Sequence, residues 1–370
     1  MEVNLKVKPS LRIRAFQLFF IMIGVQIGVG VLGTPRYIFE ESHQDAWVSI
    51  LIALVYMLLV LWTMFHILNQ YDNADIFGIQ VDIFGKWLGK LLGTGYLLLF
   101  FAELLSVLLT YIEVIQVFIY PTMPSFVMGL LLLILVVYTV LGGIRVVVGV
   151  AFLFALLSLW ILLLLYDPVT RMEIAHFQPM FDASISELLK GARTTTYTFL
   201  GLEILFVIYP FIDNKKKAKR PTYLGATASA FIVFIATIIS IGYYSPNDFH
   251  LMDWPVLSLF KSVSFSFMER FDYFVIMEWI MIVVPTMVLL MWAITHGTKR
   301  LYAIPQKKTL YVVSLLLLII SIFIKKDYNI EKILDIISQV GFWIVFVYPF
   351  VLLPIVLVKK KWRRRKGVSE

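Results

Sequence analysis

Apolar residues run through this chain in blocks of about twenty, separated by short clusters of charge, glycine and proline. The blocks fall at about 15–40, 46–69, 87–118, 124–142, 146–166, 192–212, 222–244, 272–297, 309–325 and 333–358. A helix rises about 1.5 Å per residue and needs about 20 apolar residues to cross the hydrocarbon of a bilayer. The pattern therefore predicts an all-α integral membrane protein of ten transmembrane helices. One transmembrane domain fills residues 1–370, with a basic tail over 359–370 and no stretch left for a soluble domain. Between the second and third blocks, Asp75 to Lys90 mixes Ile76, Phe77, Ile79, Val81, Ile83, Phe84, Trp87 and Leu88 with Asp82 and Lys86. This predicts a short helix lying in the membrane interface.

Composition sharpens the picture. The 370 residues are 60% hydrophobic and 15% charged, against roughly 45–50% and 25% for a soluble domain, which excludes soluble globular enzymes and disordered chains. There is no cysteine, so disulfides, thiol catalysis and cysteine-ligated metals are excluded. His43, His66, His176, His250 and His296 have no metal-ligand spacing. No phosphate-binding glycine loop, Ser/His/Asp set or nucleic-acid module is present, so neither an enzyme nor a metal or other cofactor is expected. The net charge of +8 is distributed by position. Most lysines and arginines cluster in alternate connections, which places both termini in the cytoplasm of a multi-pass inner-membrane protein. The first apolar run lacks a small-residue cleavage site and reads as a retained helix. The run from Lys359 to Lys366 reads as an anchor on anionic lipid, or as a docking site for an acidic partner. Two longer loops, about 167–191 and 245–271, would lie outside, as connections or as lids over a cavity.

Two blocks carry chemistry. The first reads Gly24-Val25-Gln26-Ile27-Gly28-Val29-Gly30-Val31-Leu32-Gly33-Thr34-Pro35. Glycine frees the backbone, and proline removes a donor and disfavours helix before it. An unwound stretch over 28–33 follows, with a half-helix after Thr34 whose positive end suits a carboxylate. Close helix packing through small residues is the alternative. The sixth block holds Thr194-Thr195-Thr196-Tyr197-Thr198-Phe199-Leu200-Gly201-Leu202-Glu203. Its interruption corresponds to that of block one, as two five-helix inverted repeats, about 15–166 and 192–358, would produce.

Glu103, Glu113, Glu203 and Glu278 lie within apolar blocks. A charge in hydrocarbon costs about 2.5–3.5 kcal/mol on the insertion scale and faces the bundle interior or a cavity. At roughly 100° per residue, Tyr96, Glu103, Ser106, Thr110 and Glu113 share one face of the third helix, a candidate water, ion or proton path. Glu278 reads as interfacial. Glu103 and Glu203 suit a ligand amine, a proton or a water path, or else a protonated carboxyl bonded to a carbonyl at a helix break. In block eight, Pro285 predicts a kink, and Thr286 can bond a freed carbonyl or a ligand. Pro210 and Pro354 read as packing kinks. Phe342, beside Gly341, reads as core packing or as a gate on a path.

The run Gly28-Val29-Gly30-Val31-Leu32-Gly33-Thr34-Pro35 resembles the first-helix motif of the amino acid–polyamine–organocation superfamily. With ten spans, short inner tails and Gly201-Leu202-Glu203, the chain resembles, over nearly its whole length, the B subunits of bacterial spore germinant receptors. The resemblance implies a leucine-transporter-type fold with helices 1 and 6 broken, in the inner membrane of an endospore. It also implies recognition of a small germinant, often an amino acid, jointly with A and C subunits. Carried over by position, the ligand site would comprise Gly28, Val29, Gly30, Gly33, Thr34, Thr198, Phe199, Gly201, Glu203 and Thr286. A single hydroxyl in the Val283-Val284-Pro285-Thr286 stretch departs from a sodium site of the leucine-transporter kind. A proton-coupled amino-acid or polyamine transporter, and a water or ion conduit opened during germination, are the other functions the sequence allows.

Overall fold

The computed structural model describes residues 2–263, 270–324 and 327–365. It is built almost entirely of helices, and among the described residues the only β pairing is two isolated bridges. Seven helical runs are long and apolar enough to cross a bilayer, and the bent pair Ile185–Thr194 and Thr196–Phe211 makes an eighth. The run Gly30–Leu68 turns at His43, where φ is 47° and ψ −134°, and so divides into two. With the shorter apolar helices Gln17–Gln26 and Ser125–Leu141, the described residues hold the ten apolar segments expected. Span one is Gln17–Gln26 with Gly30–Ser42, span two Ala46–Leu68 and span three the end of Ile76–Phe118. Spans four and five are Ser125–Leu141 and Ile144–Thr170, and span six is the bent pair. Spans seven to ten are Lys215–Tyr243, Phe271–Tyr302, Gln306–Phe323 and Asn329–Arg363.

Spans one, three, six and eight form the centre. Every residue from Val283 to Gly297 is buried, and so is all of Ile204–Ile208. The lipid-facing sides of spans four, five and nine carry exposed Ile134, Leu163, Leu315 and Phe323, the inverse of a soluble protein. Small residues let backbones approach closely. A Cβ on Gly225 of span seven would lie 2.6 Å from the Phe19 carbonyl oxygen of span one.

The segment before span three departs from expectation. Residues 76–84 are helical, with Ile76, Phe77 and Ile79 buried in protein, whereas Trp87 and Leu88 in the second part of the expected stretch are 92% and 47% exposed. Gly85, at φ 80° and ψ 177°, breaks this helix from the longer one that follows, a conformation that glycine adopts without steric cost. Asp75 caps the short helix by accepting from the Gly78 N–H at 2.8 Å. Its carboxylate, fully buried, also pairs with the Arg300 guanidinium (2.8 Å) and lies 3.4 Å from His296. Arg300 donates onward to the Glu2 carbonyl (2.9 Å), and the N-terminal segment continues with Leu5 N–H to the Asn73 carbonyl (2.8 Å). The chain start is thereby stitched across one face of the bundle. On that same face Arg363 pairs with Asp82 at 2.8 Å, and Lys359 donates to the Asp82 carbonyl. Part of the basic tail is thus held by protein; Lys366 lies outside the described residues.

The opposite face holds the two long connections. Asp45 accepts from the N–H groups of Phe181 (2.7 Å) and Ala183 (3.0 Å). Asp253 pairs with Arg36 of span one, and Phe249 packs against Phe39 with ring centroids 4.6 Å apart. The 245–262 connection therefore sits on the second half of span one. Residues 264–269 of the expected loop lie outside the described residues.

Candidate functional site

Span one loses its helix at 27–29, where Ile27 is extended at φ −87° and ψ 96°, and regains it at Gly30. The expected break over 28–33 is therefore shorter and begins one residue earlier. The second half-helix starts at Gly30, four residues before Thr34, and Pro35 lies inside it. The reason is the set of acceptors and donors around the break. The Thr286 hydroxyl donates to the Gly24 carbonyl at 2.7 Å, and Thr34 donates to the Gly30 carbonyl at 2.7 Å. The first bond serves a carbonyl that unwinding would otherwise leave unmet in an apolar interior; the second is a side-chain bond within the second half-helix. Pro285 lies within the span-eight helix, and its Cβ would meet a Cβ on Gly24 at 3.1 Å.

Span six breaks between Phe199 and Ile204. Gly201 has φ 100°, and a Cβ there would fall 2.7 Å from the Val25 side chain. Only glycine combines that backbone with that approach. The Glu203 carboxylate accepts from the Gly201 N–H at 3.0 Å, closing the broken turn from within. Gln26 donates to the Phe199 carbonyl at 3.4 Å, and Thr34 and Thr198 share a hydrogen bond. The two breaks therefore face and bond each other.

Between them lies a cavity of about 30 Å³, lined by Gly28, Val29, Gly30, Thr198, Gly201 and Thr286 among the expected residues, together with Glu103 and Ser106. Sequence reading missed Val25, Gln26, Val107, Tyr197, Leu200 and Leu290 of the lining. Tyr197 donates to Ser106 at 3.1 Å, and Ser106 donates to the Glu103 carbonyl at 2.7 Å. Glu103 and Glu203 are both buried, with their carboxyls against one another. Among the described residues, one carboxyl oxygen of each has no hydrogen-bond partner, nor do the Gln26 amide oxygen and the Thr110 hydroxyl.

Other expected residues stand elsewhere. Gly33 meets the connection over the cavity, since a Cβ there would lie 3.0 Å from the Asp253 carbonyl. The Phe199 ring is buried in the core. Tyr96 reaches the Ile344 carbonyl at 3.4 Å, and Glu113 lies ten residues beyond Glu103 on span three. Phe342 stacks 6.4 Å from Tyr56 in a different cleft, on a π-helical turn over Phe342–Val347. Glu278 accepts from the Trp160 indole at 2.6 Å. Among the described residues no group of histidines and carboxylates could hold a metal ion.

Comparison with known proteins bears on this arrangement. The family model described as "Spore germination protein" matches residues 12–330. The spore germination protein GerQB of Bacillus cereus is 30% identical over 355 residues, covering 95% of this chain and 98% of that protein. Spore germination proteins KB and A2 of Bacillus subtilis (strain 168) are 27% and 21% identical over 97% and 96% of the chain, and over 98% of their own lengths. Among solved structures, a Na+-coupled sialic acid symporter in a substrate-bound outward-open state superposes with a TM-score of 0.67 at 14% identity, over 91% of this chain and 79% of that one. MhsT in complex with L-phenylalanine gives 0.59 at 16% identity, over 96% and 89%. At such identities the likeness is one of fold, and it is the leucine-transporter-type fold with helices one and six broken. On the span of the family match and the near-complete overlap with GerQB, this multi-pass membrane chain belongs to the spore germination protein family.

Proposed function

We propose that this chain is the B-type subunit of a germinant receptor, that it binds a small nutrient of amino-acid type between the breaks of spans one and six, and that partner subunits of A and C type read the result. The observation that carries this reading is the pairing of opposite polarities in one buried cavity. The half-helix from Gly30 presents its positive amide end, which favours a carboxylate. Glu103 lines the cavity, and Glu203, which does not line it, lies against the Glu103 carboxyl; one oxygen of each has no hydrogen-bond partner among the described residues, which favours an amine. A zwitterion satisfies both. The ligand site proposed is Gly28, Val29, Gly30, Thr198, Gly201, Glu103, Glu203 and Thr286, with Tyr197 and Gln26 added. Thr34 acts by tying the breaks together, not by touching the ligand.

The cavity of about 30 Å³ has room for about two waters, so an amino acid enters only if the walls part. Binding then selects a wider conformer, which is the means of signalling in a chain that moves between two states. The lysine and arginine distribution supports a reading in which the stitched N-terminal face meets the cytoplasm at the spore's inner membrane and the face carrying the 245–262 connection lies outside. Proton-coupled transport is the competing reading, and the Glu103 and Glu203 pair is the observation that favours it. The test is the purified chain in sealed vesicles with an imposed proton gradient and labelled amino acids. Saturable, stoichiometric retention that survives permeabilisation supports a receptor. Retention that collapses on permeabilisation establishes transport and overturns the receptor reading.

A further inference from the structure

A second cleft, of about 340 Å³, lies between spans two, six and ten and shares no lining residue with the cavity at the breaks. Its walls are aliphatic and aromatic: Ala53 and Tyr56 from span two, Leu189 from span six, Phe342 and Phe346 from span ten. The rings of Tyr56, Phe342 and Phe346 stack, with Tyr56 and Phe346 centroids 5.9 Å apart and 11° from parallel. The cleft opens onto the lipid-facing surface, since Val55, Leu189 and Trp343 beside it are 60%, 54% and 60% exposed.

One charge enters this apolar setting. Arg193 lines the cleft and lies over the Phe342 ring, 5.1 Å from its centroid. It follows the Ser184 cap of its half-helix by nine residues, which places its backbone about 13 Å along the axis. Leu188, earlier on the same half-helix, has its carbonyl bonded to Ser49 near the start of span two, and the Arg193 side chain is exposed on the surface of the bundle. Among the described residues its guanidinium makes no hydrogen bond and no ion pair. The hydroxyls of Thr195 and Thr196 in the cleft donate to backbone carbonyls of their own helix. A cation so placed is costly in lipid, and the aromatic face offsets only about 0.5–2 kcal/mol of that cost.

We infer that this cleft binds one anionic phospholipid of the leaflet on the face opposite the N-terminus, with its phosphate on Arg193 and an acyl chain along the Tyr56, Phe342 and Phe346 stack. Charge complementarity selects the headgroup, because a guanidinium presents forked donors that match phosphate. The apolar walls open to the membrane select a ligand that carries its own hydrocarbon. This lipid is distinct from any that meets the basic run at the other face.

Native mass spectrometry of the full chain tests the inference, with phosphatidylglycerol or phosphatidylcholine added at equal concentration. One phosphatidylglycerol should be retained at least five-fold over phosphatidylcholine. Arg193→Ala should abolish that preference, and Arg193→Lys should keep part of it. Ala53→Leu, which narrows the cleft without changing charge, should lower retention of phosphatidylglycerol and leave the thermal midpoint within a few degrees. This variant keeps the test valid if Arg193→Ala folds poorly. Equal retention of the two lipids would overturn the inference. So would a preference that survives Arg193→Ala but disappears when Lys359, Lys360, Lys361, Arg363 and Arg365 are neutralised, since the lipid would then sit at the other face.

Discussion

At the scale of single residues, the two helix breaks are made by backbone freedom and held by side-chain bonds. Gly201 shows the first. Its φ of 100° and its approach to Val25 mean that Gly201→Ala incurs overpacking of about 1–3 kcal/mol and backbone strain of similar order. The thermal midpoint of the purified chain should fall by several degrees, whereas Gly95→Ala, where a Cβ meets nothing within 4 Å, should leave it in place. Glu203 shows the second. Glu203→Gln keeps an oxygen that can accept the Gly201 N–H bond while removing the charge. Folding should survive, and amino-acid affinity should drop at least ten-fold in equilibrium dialysis; unchanged affinity would remove Glu203 from the proposed site. The glycines and the intramembrane glutamates were legible because their signals are local. The register of the first break was not. Its edges are set by Thr286 on the Gly24 carbonyl and Gln26 on the Phe199 carbonyl, partners 262 and 173 residues away. Tyr197 and Gln26 carry no local signal for the same reason, as neither differs from an ordinary core or boundary residue until its neighbours are known.

At the scale of elements, the short helix 76–84 carries the clearest electrostatic consequence. Its apolar residues suggested a helix lying in the interface, but the same composition serves a helix buried against protein, and periodicity alone does not separate the two. What decides is Asp75. Burial alone would push its carboxyl up; the hydrogen bond with His296 and the Arg300 charge outweigh burial and hold it below the usual carboxylate range. A carboxyl whose folded-state pKa is depressed stabilises the fold above its unfolded pKa, and that contribution is lost as pH falls through the folded value. The thermal midpoint should therefore fall on the acid side, below about pH 4, and part of that fall should be missing in Asp75→Asn. The variant should already be less stable at neutral pH by about 1–3 kcal/mol, because half-buried Arg300 loses its charged partner and keeps only its carbonyl bonds. Superimposable acid limbs for the two proteins would show that Asp75 does not carry the linkage. Nothing in the sequence around either residue announced this pair, since 225 residues separate them.

At the scale of the whole molecule, ten apolar segments and their paired interruptions were readable because the bilayer imposes one length on every span and permits irregular backbone only where protein or a cavity serves it. What the segments could not tell is which state the bundle occupies. Here both faces are fastened: the chain start crosses one through Asn4, Asn73 and Arg300, and the 245–262 connection rests on span one at the other. The cavity between is too small for an amino acid, so binding as proposed has to part its walls, and the two fastenings are where the faces are held. The chain offers a direct way to ask whether the N-terminal one is released. Asn4 and Ala74 form an isolated antiparallel bridge, a geometry whose Cα separation of about 4.5–5.5 Å suits a disulfide. The native sequence has no cysteine, so Asn4→Cys with Ala74→Cys can form only that bond within the chain. If the N-terminal face opens as part of the response, spores carrying the oxidised double variant should lose the nutrient response, and a membrane-permeant reductant should restore it. The purified oxidised chain should still bind amino acid within about two-fold of the unmodified chain, because the lock lies away from the cavity. A full response in the oxidised state would place the moving parts at the other face, around Arg36, Asp253 and the ring pair of Phe39 and Phe249.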